Sequence, residues 1–149
     1  MVIMAGFSFK VTRNDISPKL SKLANAAKRP EPVFRAMGTT LMSITMGNFN
    51  DAGADYRAKG WPAKKDGTPS KLQKSGTLSR SFHLEVGSTF AKVGNPVIYA
   101  ATHQFGRDFG RGSPILPRPF FPVLDGKLTP KAEEKIAAAG MRAIMRQVE

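Results

Sequence analysis

The segment from Tyr99 to Phe121 reads YAATHQFGRDFGRGSPILPRPFF, and everything on either side of it has to accommodate what it can and cannot form. An aromatic and amide-rich turn is followed by a glycine-loosened basic loop over 106–114 and then by an apolar strip braced with proline. Pro114, Pro117, Pro119 and Pro122 each fix φ and push the preceding residue toward extended backbone. Ile115 to Val123 therefore reads as a stiff, non-helical strip displaying Ile115, Leu116, Phe120 and Phe121. Such a strip lines a core edge or meets another chain. If it is extended, Phe120 and Phe121 point to opposite faces, one to the core and one to a partner.

Upstream, His83 to Ser88 and Phe90 to Gly94 alternate in polarity across a short polar joint and predict a hairpin. Ser75 to Phe82 reads as a short helix. Val97 to Phe105 is a helical turn or a strand, which periodicity leaves open. From Asn50 to Lys74 the pattern dissolves into Gly53, Gly60, Pro62, Gly67 and Pro69 among lysines, a long basic loop over 50–74. Loops of this length are functional or become ordered on a partner. Before it, a helix starting near Pro32 carries Phe34, Met37, Leu41, Ile44 and Asn48 on one face, with Val33, Thr40 and Gly47 beside it. Ser17-Pro18 and the spacing of Leu20, Leu23, Ala24 and Ala27 predict an earlier, shorter helix ending at Arg29-Pro30-Glu31-Pro32. Phe7, Phe9 and Val11 alternate as a half-buried strand.

Downstream, Thr129-Pro130 caps a last helix, with Glu133 and Glu134 early and Arg142 and Arg146 late, as the helix dipole favours. Ile136, Gly140, Ala143, Ile144 and Val148 form its buried stripe. The expected fold class is α+β, a small antiparallel sheet packed against two longer helices with a long basic loop, in a single domain over 1–149. A chain of 149 residues is large enough to bury about 70% of its unfolded surface without staples.

There are no cysteines, so disulfide frameworks and Cys-type zinc sites are excluded and a reducing cytoplasm suits the protein. No signal peptide and no membrane span is read. The formal charge is +12, with 23 Lys+Arg against 11 Asp+Glu, more than solubility needs. An acidic partner is implied, either nucleic acid or an acidic protein surface. The excess is concentrated: Arg57, Lys59, Lys64, Lys65, Lys71, Lys74 and Arg80 face Asp66 alone in their stretch.

Catalytic chemistry finds no foothold. A catalytic segment would set a nucleophile, acid or base beside a group that tunes it. His83 and His103 are the only histidines and have no carboxylate at ligand spacing, so neither metal nor cofactor is expected. Ser79, Ser81 and Ser113 lack a nucleophile elbow. Gly106, Gly110 and Gly112 with Arg107 and Arg111 lack the Gly-Lys-Ser/Thr ending and the strand-to-helix frame of a phosphate loop, and read as a flexible surface loop. Arg107 and Arg111 remain candidates for a phosphate or a neighbouring carboxylate. Trp61 is either an anchor pinning the basic loop to the domain or a partner contact. Arg118, between two prolines, makes a fixed salt bridge or carbonyl contacts within the fold, or an intersubunit contact.

The order Tyr99-Ala100…His103-Gln104-Phe105-Gly106, then Arg118-Pro119-Phe120, with Trp61-Pro62 and Ser75-Gly76-Thr77-Leu78 upstream, resembles the phage virion morphogenesis family, the tail completion proteins of Mu-like and P2-like phages. The resemblance runs from mid-chain to the start of the last helix. It departs where Pro117 directly precedes Arg118 and where Phe121-Pro122 stands in place of leucine-glycine. It implies a non-enzymatic structural subunit that completes the tail at the head–tail neck, forms a homo-oligomeric ring, and meets tail tube or terminator and head connector proteins. Its place would be the virion, and the host cytoplasm during assembly. On this reading Trp61, Tyr99, His103, Gln104, Phe105, Arg118, Phe120 and Phe121 serve the partner or subunit interface. Arg57, Lys59, Lys64, Lys65, Lys71, Lys74, Arg107 and Arg111 meet an acidic partner or phage DNA. The competing reading is an autonomous module that grips duplex DNA without sequence preference.

Overall fold

A computed structural model describes residues 7–12, 18, 26–50, 56–69, 71–72, 75–108, 110, 112 and 114–148. Two long helices and a three-stranded sheet organise them. Helix α1 spans Pro30–Gly47 and α4 spans Pro130–Val148; the short helices α2 (Thr77–Arg80) and α3 (Ala100–Phe105) lie between them in sequence. Strands β1 (Phe7–Thr12), β2 (His83–Val86) and β3 (Phe90–Asn95) form an antiparallel sheet in the order β1-β3-β2. The fold is thus α+β, with the expected hairpin and the expected N-terminal strand both in the sheet. Of the early helix, Pro18 and Ala26 are helical; Leu20, Leu23 and Ala24 lie outside the described residues.

Strand β3 is central because its inward positions are apolar and small. Ala91 and Val93 are fully buried, with Val93 paired to Phe9 on one side and to Leu84 on the other. Phe34 of α1 packs against Ala91, with Leu84 and Val86 around the pair. A β-carbon on Gly38 would lie 2.7 Å from the Ala91 Cβ and the Leu84 Cδ1, so glycine at this position is what lets the helix axis approach the sheet so closely.

The adjoining flank of α1 receives α4. Val33 and Met37 meet Gly140, and Ala132, Ile136 and Ala143 are buried along the same seam. The helices run antiparallel and are clipped at one end: the Gln147 side chain donates to Arg29 O at 2.7 Å, and Arg29 N donates back to Gln147 Oε1 at 3.4 Å. Pro30 occupies the first turn of α1, where its missing N–H costs nothing. At the head of α4 the Thr129 hydroxyl has no hydrogen-bond partner among the described residues, so the expected side-chain cap is not made there. Instead Thr129 N donates to Pro122 O and Thr129 O accepts from Glu133 N, each at 2.9 Å.

A second, smaller hairpin joins β4 (Val123–Leu124) to β5 (Lys127–Leu128) through Asp125-Gly126, both at positive φ, the geometry of a two-residue hairpin turn. The strip before it is non-helical, as the prolines require. The expected split between Phe120 and Phe121 does not occur, because both are 0% exposed. Their consecutive N–H groups share one acceptor, and Val123 N turns back to Phe121 O at 2.8 Å. That bend abolishes the alternation an extended strip would have imposed. Both rings enter one aromatic cluster, with Phe120 stacked on Phe49 at 5.4 Å and Phe82 edge-on to Phe120 and Phe121 at 5.6 and 5.7 Å.

Candidate functional site

The motif residues converge on the strip from both sides. Helix α3 presents Gln104 beneath it; the buried Gln104 Oε1 accepts from Phe120 N and Phe121 N, each at 3.0 Å. From α1, Asn48 Nδ2 donates to Phe120 O at 2.8 Å. An irregular buried segment has no ladder partner, so side-chain amides supply the bonds a neighbouring strand would otherwise give. The backbone of α3 joins in, with His103 O accepting from Arg118 N at 2.7 Å.

The same strip holds the basic loop. Trp61 Nε1 donates to Pro119 O at 2.9 Å, and its ring packs edge-on to Phe49 at 5.8 Å. Arg118 reaches in the opposite direction: Nε donates to Pro62 O at 3.1 Å and Nη2 to Ala63 O at 3.2 Å. Trp61 and Arg118 therefore exchange bonds between the two segments, each satisfying the other segment's backbone. Arg57 closes the loop's near end, donating to Asn48 O at 2.9 Å with its guanidinium 4.0 Å above the Trp61 ring. Of the alternatives set out for Trp61 and Arg118, the anchor and the carbonyl contacts are what the structure displays.

Gly106 leaves α3 at φ +75 and ψ 170, a region that L side chains avoid. The 106–114 loop is closed at its base by paired bonds between Arg107 and Ile115, 2.8 and 2.7 Å long. Arg107 is exposed there; Arg111 lies outside the described residues. On the basic loop Lys59, Lys64, Lys65 and Lys71 are exposed, whereas Lys74 falls outside the described residues. Asp66 folds the tip: its carboxylate accepts from the Thr68 hydroxyl and amide, and those bonds, with Lys64 nearby, hold its pKa below the usual carboxylate value.

His103 is half-buried. The Tyr99 ring meets it edge-on at 5.7 Å, and its buried Nδ1 has no partner among the described residues. Burial, and then the Arg118 charge, lower its pKa. It has no carboxylate relay, and no cluster of potential metal ligands occurs among the described residues.

Beside this clamp the surface turns apolar. Phe105, Leu124 and Leu116 are 63%, 53% and 49% exposed, and Ile98 is 75% exposed next to Tyr99. Phe105 and Leu124 flank an open groove of about 360 Å³ floored by Gln104, Pro117 and Pro119. Of the interface residues predicted from sequence, Tyr99 and Phe105 reach this surface, while Gln104, Phe120 and Phe121 do not. Ile98 and Leu124 share this exposed surface without having been singled out from sequence; the Asp125-Gly126 turn signal would have placed Leu124 on a hairpin tip.

A family model described as the phage virion morphogenesis family matches residues 11–141. A Mu-like prophage protein from Haemophilus influenzae, FluMu G protein 2, is 34% identical over 126 residues, covering 82% of this chain and 83% of its own. Protein G of Escherichia phage Mu, named for capsid assembly, is 33% identical over 103 residues, covering 61% of this chain and 63% of its own length. No solved structure matches. No helix among the described residues is long and apolar enough to cross a membrane.

Proposed function

The chain belongs to the phage virion morphogenesis family, and from that membership we propose that it is a structural subunit completing the tail at the head–tail neck. It assembles with copies of itself into a ring and meets tail tube or terminator proteins on one side and head connector proteins on the other. The observation that carries this reading is the exposed apolar border of the clamp, Ile98, Tyr99, Phe105, Leu116 and Leu124, set beside a strip whose backbone is hydrogen-bonded from Arg118 to Phe121. Apolar surface held on a rigid support is what subunit docking requires, since little ordering entropy is lost when the partner arrives. The lysines of the basic loop then meet an acidic neighbour, and the clamp fixes where they are presented.

Changing Lys64, Lys65, Lys71 and Lys74 to glutamate tests this. Joining of purified heads to tails, counted by electron microscopy, is expected to collapse while circular dichroism shows the free protein still folded. Joining at the normal level would sink the reading. Imaging virions that carry the labelled protein separates the neck from every other position in the particle.

A further inference from the structure

Helix α4 carries four cations at positions i, i+4, i+11 and i+15: Lys131, Lys135, Arg142 and Arg146. At 100° per residue these fall within about 60° of arc, and at 1.5 Å per residue they run about 22 Å along the axis. All four are exposed. Across a groove of about 470 Å³ between α4 and α1, Arg35 adds a fifth, with Thr39 on the same wall.

The helix dipole does not account for this alignment, and the Tyr56 ring meets only its Lys131–Lys135 end. Arg146, in the last turn, complements the negative end of α4, but Lys131 sits in its first turn, where the dipole disfavours a cation, and Lys135 and Arg142 lie between the two ends. No carboxylate among the described residues lies within salt-bridge reach of Arg142 or Arg146, while Arg35 pairs with Glu31 at a site where both side chains are more than half exposed. The stripe is also continuous with the basic loop. Lys131 and Lys135 sit 5.3 and 4.8 Å from the centre of the Tyr56 ring, and the next residue, Arg57, covers Trp61.

We propose that this α4 stripe, together with Arg35, is a binding site for the phosphodiester backbone of nucleic acid. Laid parallel to the duplex axis, a run of about 22 Å covers roughly six base-pair steps at 3.4 Å of rise each, so its cations can reach the phosphates that border one groove. Of the two alanines midway along the helix, Ala138 is exposed at the edge of the stripe and Ala139 is buried beside it, and neither is an apolar anchor of the kind a protein interface needs at its centre. Met141 and Met145 lie on the adjoining arc. A strongly cationic, polar surface of this shape suits phosphates better than an acidic protein. The site does not depend on where in the particle the protein sits, so it stands or falls separately from the neck assignment.

Fluorescence anisotropy of the full chain with a random-sequence 24-base-pair duplex, titrated in sodium chloride, tests the site. The double variant Arg142→Gln, Arg146→Gln is expected to lower the log–log salt slope by about 1.8 and weaken binding roughly tenfold, and each single variant is expected to lower the slope by about 0.9. The thermal melt of each variant checks that it is folded, and the singles stand in if the double is not. Lys64→Gln, Lys65→Gln serves as the comparison. Unchanged slopes in the arginine variants, with the loop variant alone losing binding, overturn the proposal. So does the absence of measurable duplex affinity at low salt, and so does competition by polyglutamate as effective as that by the duplex, which would assign the stripe to an acidic protein.

Discussion

The clamp around Phe120 and the cationic face of α4 use similar polar side chains for opposite ends. In the clamp, Gln104, Asn48, Trp61 and Arg118 all turn toward backbone atoms of distant segments, at separations of 16 to 72 residues. On α4 the four cations are exposed, with Lys131 and Lys135 beside the Tyr56 ring, on a helix that makes its backbone bonds within itself. An irregular buried segment must borrow hydrogen-bond partners, so its polar residues are consumed by the fold. A regular helix does not need its outer side chains to satisfy its own backbone.

That contrast breaks most visibly at Gln104. Gln104→Ala would leave the Phe120 and Phe121 amides buried without an acceptor, at about 1–3 kcal/mol each. A loss on the order of 3 kcal/mol in urea unfolding is expected. Arg142→Ala, by comparison, alters an exposed side chain and should change stability by no more than about 0.5 kcal/mol. Comparable losses in the two variants would mean that the α4 face is as structural as the clamp.

Gly106→Ala sharpens the same contrast without touching a polar group. The added methyl would meet Ile115 O at 2.7 Å and Pro117 N at 2.9 Å, both backbone atoms in a proline-braced strip that yields little. With the positive φ included, a cost of about 2 kcal/mol is expected, read as a lowered melting temperature. A melt that did not move would show that the strip is softer than its prolines imply.

Much of this was legible in the chain. Alternation in Phe7–Thr12 and on both sides of residues 87–89 gave the sheet, and the proline-marked starts of α1 and α4 gave the two helices, because burial on one face leaves a period that composition alone reveals. The clamp was legible as a motif but not as a mechanism. Nothing in His-Gln-Phe-Gly says that the Gln104 side chain replaces a strand; that follows only from where Phe120 and Phe121 bend back. Their shared burial was misread for the same reason, since alternation holds only while the backbone stays extended. The α4 stripe was hidden by its spacing. Lys131 and Arg146 lie far apart in sequence, and a late arginine pair is already explained by the dipole, so the line of charge emerges only when the helix is wound and Tyr56 is placed against it.

The smallest expected effect concerns His103, at the seam where the clamp meets the exposed apolar border. Its pKa in the folded chain is depressed by burial and by Arg118, below the ordinary value of 6.5 that it regains on unfolding. Between those two values the unfolded chain binds more protons, so stability rises with pH through that interval. The neutral ring's contribution is complete above about pH 6.5 and is lost as the pH falls toward the folded value. Urea unfolding of the natural chain and of His103→Gln at pH 7.5, 6.5 and 5.5 should therefore diverge, the natural chain losing more stability on acidification. Parallel losses would place the acid sensitivity elsewhere, while a natural chain that gained on acidification would mean that His103 is protonated in the fold and bonded by a group outside the clamp.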